Sequence, residues 1–357
     1  MIRVVDRDTI AVYEKRATEW RDRRPPRFPE RAQALGREVP DGAIRLDAGC
    51  GSGAHLPLLG QPVVALDAAF AMLALAHAAA PQAWCVQGDL ESLPFRRNCL
   101  GGSWARASYL HVARNRLPWA LMELHRALLV GASAAFTFRS GTGEGEIAGD
   151  DFQGRFFAEW EPEPLRDVLV GAGFALDELV EEANEWINIR AKRARTLPDF
   201  VGPEMRVLVC GLNPSEYAAD AGVGFARPGN RFWPAALAAG LVSRDRDPAH
   251  ALREHGVGMT DLCKRATPRA DALSKAEYVE GAARVERFAR WLEPGVICFV
   301  GLAGWRAAIN PKAKAGEQPG GFAGVPAYVM PNPSGLNAHS TLDDFTNHLT
   351  NAIRMAD

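Results

Sequence analysis

The chain has 357 residues, with 41 Lys and Arg against 43 Asp and Glu and a formal net charge of −2. That length exceeds one typical domain, so two domains are the expectation. The even charge balance excludes a protein that holds nucleic acid through a broad basic field, and any DNA contact must come from local groups.

In chain order, residues 1–8 lack the apolar core of a signal peptide. Residues 43–48 form a short β-rich run ending in Asp47-Ala48, which leads into Gly49-Cys50-Gly51-Ser52-Gly53. A second apolar run, 62–66, ends at Asp67, and residues 68–80 read as an alanine-rich helix. A third run, Trp84-Cys85-Val86, leads to Gly88-Asp89-Leu90. Residues 117–129 show helical periodicity, 134–138 read as a strand and 162–171 as a helix. Residues 186–192 alternate, with Ile187, Ile189 and Ala191 on one face. Strands alternating with helices predict a doubly wound, mostly parallel sheet.

Glycines after a first strand let the backbone approach a ligand closely and open a helix N-terminus. A carboxylate at the end of the second strand can accept both hydroxyls of a ribose, and Asp67 occupies that place. The loop reads G-x-G-x-G and fits a nicotinamide fingerprint, G-x-G-x-x-G, less well. Loop, Asp67 and Gly88-Asp89 in register predict a nucleoside pocket.

Residues 46–53, Leu-Asp-Ala-Gly-Cys-Gly-Ser-Gly, resemble motif I of the class I S-adenosylmethionine-dependent methyltransferases. The resemblance spans roughly residues 10–193. It implies S-adenosyl-L-methionine as cofactor, with Asp47, Gly49, Gly51 and Gly53 around its methionine end, Asp67 on the ribose, and Asp89 with Leu90 beside the adenine. The helix at 121–129 is similar to the one before strand five of these enzymes, although Val130-Gly131-Ala132 stands where they usually have Pro-Gly-Gly. The methyl acceptor stays open. Residues 103–111 lack the Asp/Asn-Pro-Pro-aromatic motif of base amino-methyltransferases, and neither Cys85 nor Cys99 follows a proline as a cytosine-C5 nucleophile would. Tyr109 and His111 read either as acid–base groups or as strand-end packing.

Composition shifts at 190–203, from Arg190, Lys192, Arg193 and Arg195 to Pro198 and Gly202-Pro203. This puts the expected domains at 1–195 and 196–357. The basic cluster reads as a solvated strand face or as phosphate contacts. A buried strand at 206–210 then runs into Gly211-Leu212-Asn213-Pro214-Ser215, followed by a loop dense in glycine, aromatic, amide and arginine groups that includes Phe225, Asn230 and Arg231. Phe232 and Trp233, opening a helix through Gly240, read as core. Strands at 296–300 and 327–330 follow, the second ending in Pro331-Asn332-Pro333-Ser334-Gly335-Leu336-Asn337. Polar loops after parallel strands lie at the sheet edge where ligands bind. An amide there can hold a water or a base edge, an exposed aromatic can stack on a base, and a leucine in a polar loop suits a wedge into a base stack.

These blocks, with 258–262 (Gly-Met-Thr-Asp-Leu), resemble the mismatch-specific uracil/thymine-DNA glycosylase family of the uracil-DNA glycosylase superfamily, over roughly residues 196–353. The fold class implied is two-domain α/β, a Rossmann-like methyltransferase sheet followed by a parallel-sheet glycosylase domain. The resemblance implies that Asn213 positions the attacking water and that Phe225, with Leu212 and Asn230, receives the flipped base. It also implies that Gly335, Leu336 and Asn337 form the wedge, with mismatched or damaged double-stranded DNA as partner and no cofactor for this half. Ser215 replaces a common glycine, which is expected to tighten the base pocket, and Asn337 replaces a common serine.

The expected chemistry is hydrolysis of an N-glycosidic bond limited by departure of the base, with no lysine nucleophile and so no strand cleavage. The alternative is a methyltransferase whose second half only binds nucleic acid. Six cysteines (Cys50, Cys85, Cys99, Cys210, Cys263, Cys298) contain no C-x-x-C pair and read as buried reduced thiols, with no metal or iron–sulfur site. No stretch of 18 apolar residues occurs, so the expectation is a cytoplasmic protein without a membrane partner.

Overall fold

A computed structural model describes residues 6–25, 27–183, 185–269 and 272–357. They divide into two compact units, one of residues 2–170 and 174–194, the other of 171–173 and 195–357.

The first unit begins with helices α1 (Arg7–Arg23) and α2 (Pro29–Glu38). Its strands are β1 (Arg45–Ala48), β2 (Val63–Asp67), β3 (Trp84–Gln87), β4 (Leu100–Arg106), β5 (Leu128–Ser140), β6 (Glu144–Glu146), β7 (Phe156–Trp160), β8 (Phe174–Glu182) and β9 (Trp186–Arg193). Between them run α3 (Leu56–Leu59), α4 (Phe70–Ala79), α5 (Leu117–Ala127) and α6 (Pro162–Gly171). Among the described residues they form one sheet in the order β3-β2-β1-β4-β5-β7-β6, with β9 also pairing β5 and β8 pairing β9. The pairs β2–β3, β1–β2, β1–β4, β4–β5 and β5–β7 are parallel, whereas β9 runs antiparallel to both neighbours. All four residues of β1 are buried, as helices on both faces of a parallel sheet require. Strand order reverses between β1 and β4, and such a switch point leaves a crevice at the strands' carboxyl ends.

The predicted strands and helices of this unit are present, with differences at their ends. The alanine-rich helix starts at Phe70, because Asp67 Oδ1 accepts the Ala69 N–H at 2.9 Å and holds the preceding turn. Strand β4 carries a tight requirement: a Cβ on Gly101 would stand 2.5 Å from the Ala43 Cβ, and one on Gly102 would stand 2.4 Å from a Val39 methyl. Cys85 is exposed, contrary to the buried thiol expected, because β3 is the edge strand of its sheet. Of the basic cluster, Arg190 and Lys192 face solvent, whereas Arg193 is buried and donates to Asn98 Oδ1 at 2.7 Å.

The second unit contains strands β10 (Val207–Gly211), β11 (Val257–Asp261), β12 (Val296–Val300), β13 (Gly316–Glu317) and β14 (Ala327–Met330). Its helices are α7 (Glu216–Ala221), α8 (Phe232–Ala238), α9 (Pro248–His255), α10 (Lys275–Leu292), α11 (Leu302–Ala308) and α12 (Leu342–Ala356). The sheet order is β11-β10-β12-β14-β13, parallel except for β13. Strands β10, β12 and β14 are buried throughout, and Phe232 and Trp233 are core residues. Helices α10 and α12 each open with a capping box, Ser274 with Glu277 and Thr341 with Asp344, satisfying N–H groups that a helix start leaves unpaired. Among the described residues no helix is long and apolar enough to cross a membrane, and no group of three or more His, Cys, Asp or Glu is placed to hold a metal.

Candidate functional sites

In the first unit, a cavity of about 430 Å³ opens over the carboxyl ends of β1, β2 and β4. Its floor is the loop after β1, where Gly49 and Gly51 have φ of 74° and 53°. A Cβ on Gly49 would meet that of Ser108 at 2.3 Å, so this close approach admits only glycine. Gly53 has a different task. It does not border the cavity, and a Cβ there would stand 2.7 Å from the Ala76 Cα, so it lets α4 pack against the loop. Asp67 accepts from Gly51 N–H and Ala69 N–H, both at 2.9 Å, and thereby fixes the loop while facing the cavity. Leu90 lines the cavity. Asp89 does not, and its Oδ1 accepts from Glu91 N–H.

Asp47 is buried at the cavity floor, and its Oδ2 has no partner among the described residues. Burial, reinforced by the neighbouring charge of Asp67 and opposed by Arg106, pushes its carboxyl up to about 8. His111 also lines the cavity. Its Nδ1 lies 2.6 Å from the Phe156 carbonyl and must donate; its Nε2, 2.9 Å from the Tyr13 hydroxyl, then accepts in the neutral ring. Burial holds His111 down at about 4, which keeps it neutral at neutral pH. Tyr13 in turn accepts from Arg155 at 2.9 Å. Tyr109 is fully buried, does not border the cavity and packs edge-on against Phe136, which makes it a core residue.

In the second unit, the loops after β10, β12 and β14 gather at one edge of the sheet. Asn213 donates from Nδ2 toward Thr267 Oγ1 (2.8 Å) and the carbonyls of Arg265 and Pro214 (both 3.0 Å). An amide whose NH₂ is so engaged presents its oxygen as the acceptor. Leu212 is buried, and a Cβ on Gly301 or Gly304 would run into its side chain at 2.9 and 2.5 Å, so only its backbone is available to a ligand. Phe225 sits at φ 57° and stacks on Phe232, centroids 4.2 Å apart and planes 25° apart. The Asn230 Oδ1 accepts from Phe232 N–H at 2.9 Å and opens α8. Ser215 caps α7 by accepting from Ala218 N–H at 3.1 Å, which gives this departure from glycine a local structural role.

Leu336 is 88 % exposed, which excludes a core role. A Cβ on Gly335 would stand 3.2 Å from the Gly229 carbonyl, so the aromatic loop and the last loop touch. Asn337 ties its own loop, donating to Asn332 O at 3.0 Å and accepting from His339 N–H at 3.0 Å.

Two motif residues have roles that the sequence did not show. Arg231 donates to the carbonyls of Ser334 (3.0 Å), Asn337 (2.5 Å) and Ser340, and its guanidinium lies 4.8 Å over the Phe345 ring. It holds the whole turn that carries Leu336. Asp261 ends β11 beside Gly211, where an added Cβ would stand 2.3 Å from its Oδ1 and 3.5 Å from the Phe225 ring. Burial and the nearby Asp199, opposed by Lys264 and Arg284, push Asp261 up to about 6. Asp199 goes the other way: burial would raise it, but Lys264 and Arg284 at 2.7 and 2.8 Å hold it below the usual range. The signal for Asp261 was present in the sequence as the end of the 258–262 block.

The two units thus define a Rossmann-like nucleoside-site domain and a second parallel-sheet domain with a polar, aromatic edge. Residues 46–136 match the family described as Methyltransferase domain, and residues 198–354 match the family described as Uracil DNA glycosylase superfamily. The chain therefore carries a methyltransferase domain and a uracil DNA glycosylase superfamily domain. Similar solved structures include several methyltransferases. One is an S-adenosylmethionine-dependent methyltransferase from Mesorhizobium loti (19 % identity, 46 % of this chain and 96 % of that one, TM-score 0.39). Another is the 1,6-didemethyltoxoflavin-N1-methyltransferase of Burkholderia thailandensis with S-adenosylhomocysteine (18 %, 54 % and 92 %, 0.43). A third is a TehB-like enzyme from Corynebacterium glutamicum (22 %, 52 % and 97 %, 0.40).

Proposed function

We propose that the chain is a monofunctional DNA glycosylase that removes uracil, or a related pyrimidine, from mismatched duplex DNA, fused to an S-adenosylmethionine-dependent methyltransferase. The functional boundary falls at 195/196. The observation that carries the glycosylase reading is the anchored amide of Asn213, facing the same sheet edge as Phe225 and the exposed Leu336.

Asn213 Oδ1 accepts a hydrogen bond from water and aims it at the sugar C1′. As the bond to the base breaks, the sugar becomes oxocarbenium-like and the base carries negative charge. Asp261, ionised above about 6, faces the developing positive charge and can take the proton of the attacking water. Phe225 stacks on the extruded base, and backbone N–H groups of the 211–215 loop receive its charge. Leu336 fills the space that the base leaves. The lysine that follows this site, Lys264, donates to Asp199 Oδ1 at 2.7 Å and is engaged there rather than free to attack the sugar. Excision therefore leaves an intact strand with an abasic site. The test is a gel assay on duplexes bearing uracil opposite guanine, with and without alkali: the reading requires breaks only after alkali, and breaks without it, or none in either lane, refute it.

For the first unit, the glycine floor at Gly49 and Gly51 and the unpartnered oxygen of Asp47 fit S-adenosylmethionine. That group, when bound, supplies an electrophilic methyl. Asp47 faces its methionine end, the free lone pairs of Asp67 its ribose, and Leu90 its adenine. Titration calorimetry with S-adenosylhomocysteine tests this, and a flat titration rejects it.

A further inference from the structure

The same cavity holds more positive charge than a cofactor site needs. Arg24, Arg27 and Arg106 all line it, together with Arg139 and Arg155. Most of these are balanced. Arg155 is paired with Asp150, Arg139 with Glu159 and Glu185, and Arg24 with Asp151 at 2.8 Å. Arg27 and Arg106 have no ion pair among the described residues. Arg106 is half-buried at the end of β4; its contact among the described residues is the ring of Phe28 at 5.6 Å, and its Nε has no hydrogen-bond partner. Burial, with repulsion from Arg27 and Arg24, lowers it to about 10, still charged at neutral pH. The acid that faces it, Asp47, is held near 8 and offers little negative charge in return.

A partly desolvated guanidinium without a partner is costly and is relieved by an anion. The cofactor does not supply the balance. S-adenosylmethionine carries one carboxylate but also an ammonium and a sulfonium, so its arrival leaves the chamber more positive. One guanidinium suffices for one carboxylate, whereas the partly buried Arg106 and the exposed Arg27 both lack an ion pair among the described residues. Trp20 and Phe157 also line the cavity, beside Tyr13 and His111 respectively.

Resting on the methyltransferase reading above, we propose that the methyl acceptor is a small organic anion, a carboxylate or phosphate ester, whose charge is held by Arg27 and Arg106. The acceptor is thus neither a nucleic-acid base nor an uncharged amine. It reaches the chamber as a free small molecule, consistent with the cavity's size.

The test is calorimetry on the full chain. S-adenosylhomocysteine is titrated first, and absence of binding there refutes the cofactor reading itself. Benzoate, phenyl phosphate and the neutral benzamide are then titrated into the loaded protein. The proposal expects one of the two anions to bind about tenfold or more tightly than benzamide, the scale of a charged hydrogen bond. Arg27→Gln, on an exposed residue, and Arg106→Gln should each remove that preference while the affinity for S-adenosylhomocysteine stays within about twofold. A melt of Arg106→Gln confirms its fold. Equal or absent binding of all three probes, displacement of S-adenosylhomocysteine by the anion, or loss of S-adenosylhomocysteine affinity in both variants overturns the proposal. The last two outcomes would assign the arginines to the cofactor's own carboxylate.

Discussion

The loops after β1 and β10 occupy equivalent places, each following a fully buried strand at a point where its sheet reverses order, yet they are built on opposite means. The Gly49–Gly53 loop works through backbone: its glycines take positive φ, and Asp67 pins its Gly51 N–H so that a ligand meets main chain. The Gly211–Ser215 loop works through one side chain, with Asn213 locked by its own donors so that a single oxygen faces outward. A backbone cradle suits a large ligand held along its length, whereas an oriented amide suits one water molecule. The acids follow the same division. Asp47 is kept largely protonated at neutral pH in the first site, while Asp261 ionises there in the second.

The largest effect is expected of Asn213→Ala. Losing the water-positioning oxygen should lower single-turnover excision by about 100-fold or more, the scale for removing a preorganised polar group, with DNA binding retained. Rates within twofold of the parent would remove Asn213 from the mechanism. Asp67→Ala should weaken S-adenosylhomocysteine by about 1.5–3 kcal/mol, the scale of hydrogen bonds to a charged group. Uracil excision should not change. Unaltered affinity in calorimetry would count against the ribose assignment.

Asp261 sharpens the comparison through pH. Its carboxyl titrates at about 6, so excision should fall as pH drops through that value and the group takes up a proton. Asp261→Asn should lower the plateau rate by about 10- to 100-fold and abolish the acid limb. A variant that keeps the limb would show that another group causes it.

The smallest effect belongs to Leu336. Its exposure means that Leu336→Ala should leave the melting temperature unchanged. Removing apolar surface worth about 1–3 kcal/mol when buried should slow excision of uracil opposite adenine most, opposite guanine less, and in single strands least, because extrusion costs less from a weak pair. An equal loss on all three substrates would contradict the wedge.

Much of the scaffold was readable in the sequence because strands covered on both faces are continuous apolar runs. The segments at 296–300 and 327–330 coincide with β12 and β14, and 206–210 matches β10 offset by one residue, for that reason. Helix α1 was not, since Arg7–Arg23 is charge-rich and buries only Thr9 and Ala17. Strand β4 was obscured by Gly101 and Gly102, whose poor strand propensity is overridden by close packing on Val39 and Ala43. Within the sites, contiguous motifs such as 49–53 and 211–215 could be singled out. The arginine cluster could not, because Arg106 stands far along the chain from Arg24 and Arg27 and joins them only through the topology. Arg231 was visible as a motif residue, but its hold on three carbonyls of the last loop required coordinates.

If one chain carries two chemically independent sites, a crossed measurement separates them. Uracil excision and S-adenosylhomocysteine binding are measured on the full protein and on Asn213→Ala and Asp67→Ala. The parent should do both, Asn213→Ala should lose excision alone, and Asp67→Ala should lose cofactor affinity alone. A parent lacking either property, or a single variant that abolishes both while its melting temperature is unchanged, would contradict two independent sites in one chain.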